Sequence, residues 1–273
     1  MRPIDSVNIT IVAENHSSDS NLVAEHGLCL HIDNGAQSIL FDAGRSDSVI
    51  DNLKYLQLEP KAPQFIALSH GHYDHCNGVP ALRQLFPQAQ LHFNPLLLDP
   101  KWVLDDNSWR YGGLPRDFHP VGDFKHGFLE LIPGVFASGH VISAAETQTD
   151  TTRFYRNPTG ELQKDAFNDE QIILVHTNKG LSVISGCMHC GLDATIKRSR
   201  ELFPKIPFYA LVGGFHLVSL GEKVFNDFVN SVKKHKFRKI MPLHCSGLDF
   251  VSYLRTSVPN LLLLGECGSK LIV

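Results

Sequence analysis

Apolar residues along the chain follow two rhythms. Short runs and alternations predict strands over residues 4–12, 22–32, 38–41 and 65–68. The alternation Leu28-Cys29-Leu30-His31-Ile32 is that of a half-buried strand. Between these runs, residues 48–58 place Val49, Ile50, Leu53, Leu56 and Leu58 on one stripe, the pattern of a helix lying on a sheet. Residues 79–86 predict a second helix, stopped by Pro87. The same rhythms return in the second half. A strand is predicted at 128–138, then a hairpin of 171–176 and 181–185 about Asn178-Lys179-Gly180. A helix at 193–203, a buried strand at 208–212 and an amphipathic helix at 223–236 follow. A strand at 240–243, a helix at 248–254 and a closing strand at 261–264 complete the chain.

Strand-loop-helix order in both halves predicts a layered α/β fold in one domain spanning residues 1–273. Two stretches break the rhythm. Residues 94–126 hold four prolines, both tryptophans (Trp102, Trp109) and Tyr111-Gly112-Gly113, too aromatic for a disordered tract. This insertion is expected to cover the functional site, with its aromatic residues setting substrate choice. Residues 143–170 form a second, polar insertion without periodicity.

Composition narrows the class. With 43% hydrophobic and 19% charged residues in 273, the chain is a globular protein with a sizeable core. A formal net charge of −3 argues against a nucleic-acid-binding surface, and no apolar run is long enough to span a membrane. No signal peptide is expected, since strand-like sequence follows Met1 almost at once. In a chain of this length the 6 cysteines read as reduced thiols, which places it in the cytoplasm.

The chemistry concentrates after the strand at 65–68, where His70, His72, Asp74 and His75 fall within six residues. In extended chain His70 and His72 project to the same side and can share one ion. Asp74 and His75 follow a bend and reach a second ion or the far side of the first. Imidazoles with a carboxylate favour a divalent hydrolytic ion over an electron-transfer centre. Three later strands end in histidine, at His189, His216 and His244, where an open α/β sheet gathers its ligands.

The His-x-His-x-Asp-His signature after a buried strand resembles the metallo-β-lactamase superfamily. Ser-His-Gly-His-Tyr-Asp-His (69–75), Ser-Gly-Cys-Met-His-Cys-Gly (185–191), Gly-Gly-Phe-His-Leu (213–217) and His-Cys-Ser-Gly (244–247) sharpen the likeness. They resemble the branch of metal-dependent hydrolases related to the methanopterin-pathway ribofuranosylaminobenzene phosphate synthases. Glu25-His26-Gly27-Leu28 and Phe41-Asp42-Ala43-Gly44 fit the same branch. The resemblance implies an αββα four-layer sandwich and two divalent metal ions, zinc first, with iron or manganese as alternatives. It implies His70, His72, Asp74, His75, His189 and His244 as ligands. His140 is the alternative to His189; otherwise His140 faces the substrate, as His216 does. Asp42 is expected to support the metal loop, and Cys187 stands where the superfamily usually has a bridging aspartate. Asp74 is expected both to ligate and to take the proton from the attacking water.

These features point to a metal-dependent hydrolase acting on a small phosphorylated, cyclic-phosphate or ester substrate. The alternative is a non-catalytic metal-containing sensor or binding protein reusing the fold. The di-iron oxidoreductase relatives carry a glutamate at the place of His72, and this chain does not.

Overall fold

The computed structural model describes residues 2–116, 118, 124–142, 151–157 and 160–273. The first half runs β1 (Asn8–Ala13), β2 (Cys29–Asp33), β3 (Ser38–Phe41), α1 (Ser48–Tyr55), β4 (Phe65–Ala67), α2 (Tyr73–Cys76), α3 (Val79–Leu85) and β5 (Gln90–His92). After it come β6 (Lys101–Asp105) and β7 (Ser108–Tyr111), then β8 (Phe128–Ile132), β9 (Val135–His140), β10 (Phe154–Arg156) and β11 (Gln163–Lys164). The second half continues with β12 (Gln171–Thr177), β13 (Gly180–Ser185), α4 (Leu192–Leu202), β14 (Phe208–Gly214), α5 (Glu222–Lys234), β15 (Lys239–Leu243), α6 (Leu248–Ser257) and β16 (Lys270–Ile272).

Two six-stranded sheets, ordered β16-β1-β2-β3-β4-β5 and β15-β14-β13-β12-β9-β8, stack face to face. Ile9, Ile32 and Phe41 of the first meet Ile173, Ile184 and Val212 of the second in a dry core. The outer face of the first sheet is covered by α1 and α3 through Val49, Leu53, Val79 and Leu82. That of the second is covered by α4, α5 and α6 through Ile196, Phe225, Phe228 and Phe250. The result is the αββα four-layer sandwich. Helical crossovers make β3-β4-β5 and β13-β14-β15 parallel, and those strands are buried because both sheet faces are covered.

Four sequence readings change, the first being that residues 128–138 are not one strand but belong to the antiparallel pair β8 and β9. Residues 22–28 are not strand; β2 begins at Cys29. The closing strand is β16, paired antiparallel with β1, whereas 261–264 contributes a single bridge from Leu262 to Ile240. Both insertions are structured where described: β6 and β7 join β10 and β11 in a separate four-stranded sheet, order β11-β10-β6-β7. Parts of both insertions lie outside the described residues.

Candidate metal centre

The site is built at the ends of parallel strands. β3 runs into Asp42, which sits at φ 62° and turns its carboxylate back under the loop that follows β4. Asp42 accepts from the Ser69 amide at 2.7 Å and the Ser69 hydroxyl at 2.9 Å, and its Oδ2 lies 2.7 Å from His75 Nδ1. The loop is pinned from the other side at Gly71, whose amide donates to Asp169 Oδ2 at 2.8 Å. A Cβ at Gly71 would stand 2.6 Å from the Leu97 carbonyl, so only glycine passes there. His72 is extended (φ −80°, ψ 146°), and the helical turn of α2 then swings Asp74 and His75 inward.

Around this loop the candidate ligands converge. His70 Nε2 is 3.0 Å from His72 Nδ1, and His189 offers a nitrogen within 4.8 Å of both. His75 Nε2 is 3.2 Å from His244 Nε2 and 3.1 Å from Cys187 Sγ, while Asp74 Oδ2 is 3.3 Å from His244 Nε2. Ligand atoms on a tetrahedral ion with bonds of ~2.0–2.3 Å stand roughly 3.3–3.7 Å apart, so these spacings are of coordination size.

The hydrogen bonds behind the rings sharpen the fit. His75 Nδ1 faces an Asp42 oxygen and His244 Nδ1 faces Asn15 Oδ1 at 2.9 Å, both acceptors. Each Nδ1 therefore donates outward, which turns the two Nε2 atoms toward each other across 3.2 Å. A shared cation satisfies that arrangement. Burial pushes His70 and His189 well below the ordinary imidazole range and His72 down to about 3, which leaves them neutral. Burial opposes the Asp74 carboxylate, but His75, His244 and His26 outweigh it and hold its pKa well below the usual range.

Several contributors went unread in the sequence. His26 Nε2 lies 3.2 Å from Asp74 Oδ2, and the motif containing it served only as a family mark. Glu14 accepts from the His244 amide at 2.7 Å. Glu170 holds the amides of His189 and Cys190, each at 2.7 Å, and burial raises its carboxyl to about 7 despite those donors. Cys245 joins Cys187 and His244 in a further ligand-sized group. Apart from Cys245, which adjoins His244 in sequence, these contacts are not local, and no spacing announces them.

A cleft of about 240 Å³ opens on the centre, lined by His26, His72, Asp74, His189, His216 and His244. His216 is 4.2 Å from the His189 ring, centroid to centroid. His140 lies at the end of β9, opposite Gln171, and lines neither this cleft nor any of the ligand-sized groups. The insertion sheet does wall the cleft, through Val103, Arg110, Arg153 and Phe154. The expected tryptophans do not. Trp109 alternates with Arg110 along β7, stacks edge-on against Tyr155 and is 46% exposed. Trp102 and Tyr111 line a separate cavity of about 620 Å³. Arg110 and Arg153 both pair with Asp105, at 3.2 and 2.7 Å.

Comparison with known proteins agrees with this fold. Residues 23–152 match the family described as the metallo-beta-lactamase superfamily. A solved metal-dependent hydrolase of the beta-lactamase superfamily, Tm1679, superimposes with a TM-score of 0.84 at 27% identity, over 97% of this chain and 98% of that one. Over residues 23–152 the chain is similar to the metallo-β-lactamase superfamily, and its fold is metallo-β-lactamase-like. It is 27% identical, over 89% of each chain, to the 7,8-dihydropterin-6-methyl-4-(beta-D-ribofuranosyl)-aminobenzene-5'-phosphate synthase of Methanocaldococcus jannaschii. An uncharacterized protein of the same organism is 28% identical over 95% of this chain and 98% of its own.

Proposed function

We propose that the chain is a metal-dependent hydrolase of small phosphorylated, cyclic-phosphate or ester substrates. It works as one unit over residues 1–273, with two divalent ions, zinc first and iron or manganese as alternatives. The ligands are His70, His72, Asp74, His75, His189 and His244. One observation carries the reading: buried imidazoles and an ionised Asp74 meet at coordination distances on the floor of an open cleft. Ions bound there lower the pKa of water toward about 7 and polarise a phosphoryl or carbonyl oxygen. Asp74 accepts the proton of the attacking water, and Asp42 and Asn15 keep the His75 and His244 rings aimed inward. His216 touches the substrate from the far wall. Arg110 and Arg153 favour an anionic substrate, hence phosphate over a neutral ester. All six cysteines are free and buried, which suits a reducing compartment such as the cytoplasm.

A second reading rests on the relative named a 5'-phosphate synthase: the same centre serving a group-transfer step on a phosphorylated ribosyl substrate. One experiment separates the two. The purified protein is loaded in turn with zinc, iron and manganese and given phosphodiesters, lactones and thioesters in heavy-oxygen water. Product carrying one solvent oxygen supports hydrolysis. A fully loaded protein that turns over none of them, yet joins a phosphoribosyl donor to an aromatic acceptor, overturns it.

A further inference from the structure

Two sulfur atoms stand among the nitrogens and oxygens of the centre. Cys187 Sγ lies 3.1 Å from His75 Nε2 and 3.2 Å from Cys245 Sγ. Its sulfur belongs to three ligand-sized groups: with His70 and His75, with His189 and His216, and with His244 and Cys245. No other residue of the centre joins as many, which puts Cys187 between the two halves of the site.

Other buried cysteines behave differently. Cys76 Sγ donates to the His70 carbonyl at 3.2 Å, Cys190 Sγ to that of Val141 at 3.3 Å and Cys267 Sγ to that of Glu14 at 3.5 Å. These are thiols with backbone acceptors. Cys187 instead meets an imidazole nitrogen and a second sulfur, and both Cys187 and Cys245 line the cleft.

Rigid elements hold the pair in place. Cys187 follows Gly186, where a Cβ would stand 2.1 Å from Ser69 Oγ, so the end of β13 is pressed against the His70 loop. Cys245 lies in the tight turn His244–Ser246, its carbonyl accepting from the Leu217 and Val218 amides at 3.1 and 3.2 Å. A Cβ on Gly214 would come within 2.7 Å of Cys245 Sγ, so this glycine clears room for the sulfur.

We infer that Cys187 and Cys245 supply thiolate sulfur to the second metal position, beside Asp74 and His244, with Cys187 reaching toward both ions. The inference rests on the reading of this centre as a metal site. Each thiol gives its proton to solvent as its sulfur binds. Soft donors then tune the position toward zinc, ferrous iron or cobalt and away from magnesium or calcium.

Cobalt(II) titration of the metal-free, reduced full-length protein tests this without any substrate. Two cobalt ions per chain are expected, with a thiolate-to-cobalt charge-transfer band in the near ultraviolet that grows with the second equivalent. Cys187→Ser and Cys245→Ser should each lose part of the band and the double variant all of it, while Cys29→Ser, away from the cleft, keeps it whole. The wild-type spectrum is decisive even where a variant misfolds. Two bound cobalt ions with no such band, or a band that survives in the double variant, overturn the inference and leave the hydrolase reading standing. No cobalt uptake at all overturns both.

Discussion

Asp42 shows how much one side chain can organise at the residue scale. Its two oxygens fix the Ser69 amide, the Ser69 hydroxyl and His75 Nδ1, all within 2.9 Å and all buried. Asp42→Asn keeps the shape but weakens the acceptor that fixes the His75 tautomer. Metal affinity is expected to fall about 10–100-fold, as for loss of such a supporting partner, measured by competition with a chelating dye. Unchanged affinity would reduce Asp42 to a turn former. Asp74→Asn tests the reacting group itself. The amide still coordinates weakly but takes no proton, so turnover should vanish while much of the metal stays. The four-residue signature was legible because its spacing is local and its strand precedes it. His26, Glu14 and Asn15 were not, because they reach the centre only when β1 and the following loop fold against the His244 turn.

The two insertions make the argument at the scale of elements. Each looked irregular, since strands of two to five residues carry little periodicity and the sheet closes only where β6 of one insertion pairs with β10 of the other. Their junction is a buried ion cluster in which Lys101 Nζ lies 3.0 Å from Asp165 Oδ2 and 3.1 Å from Asp169 Oδ2. Asp169 also holds the Gly71 amide, so the charge cluster that ties the insertions together braces the metal loop. Lys101→Met leaves two buried carboxylates unbalanced, at an expected cost of about 3–5 kcal/mol in urea unfolding, with metal affinity falling as well. Loss of stability with unchanged affinity would sever the sheet from the loop. The same sheet presents arginine rather than tryptophan to the cleft, a consequence of strand alternation invisible without knowing which face of β7 is inward. Arg110→Ala with Arg153→Ala should raise KM for a phosphorylated substrate roughly 10-fold or more, with kcat little changed and neutral esters unaffected. An equal effect on neutral esters would show that the arginines shape the cleft and do not recognise charge.

At the scale of the whole molecule, the sandwich buries the first sheet on both faces, and that sheet carries two histidines unrelated to the centre. His31 on β2 is 2% exposed and His92 on β5 is 0% exposed. Burial pulls both down to about 4 from 6.5. His31 Nε2 has no hydrogen-bond partner among the described residues, as befits a neutral ring. In the unfolded chain these rings protonate near 6.5, so below that pH the unfolded state binds more protons. The contribution of these two rings to stability is full above about 6.5, falls as pH drops toward 4, and levels off once the folded rings protonate too. In the metal-free protein the imidazoles of the centre add to the slope, so the comparison that isolates the sheet is His31→Gln against the parent. Urea unfolding between pH 6 and 4.5 should give the variant a slope shallower by roughly 1.4 kcal/mol per pH unit, the share of one histidine. The absolute stability of the variant does not enter, because only the slope counts protons. Identical slopes would mean that His31 takes up its proton in the folded sheet as readily as in the unfolded chain. Water would then be reaching the outer face of β2, on the Cys29 and Leu40 side under the helices, opposite the Leu30 and Ile32 side that meets the second sheet.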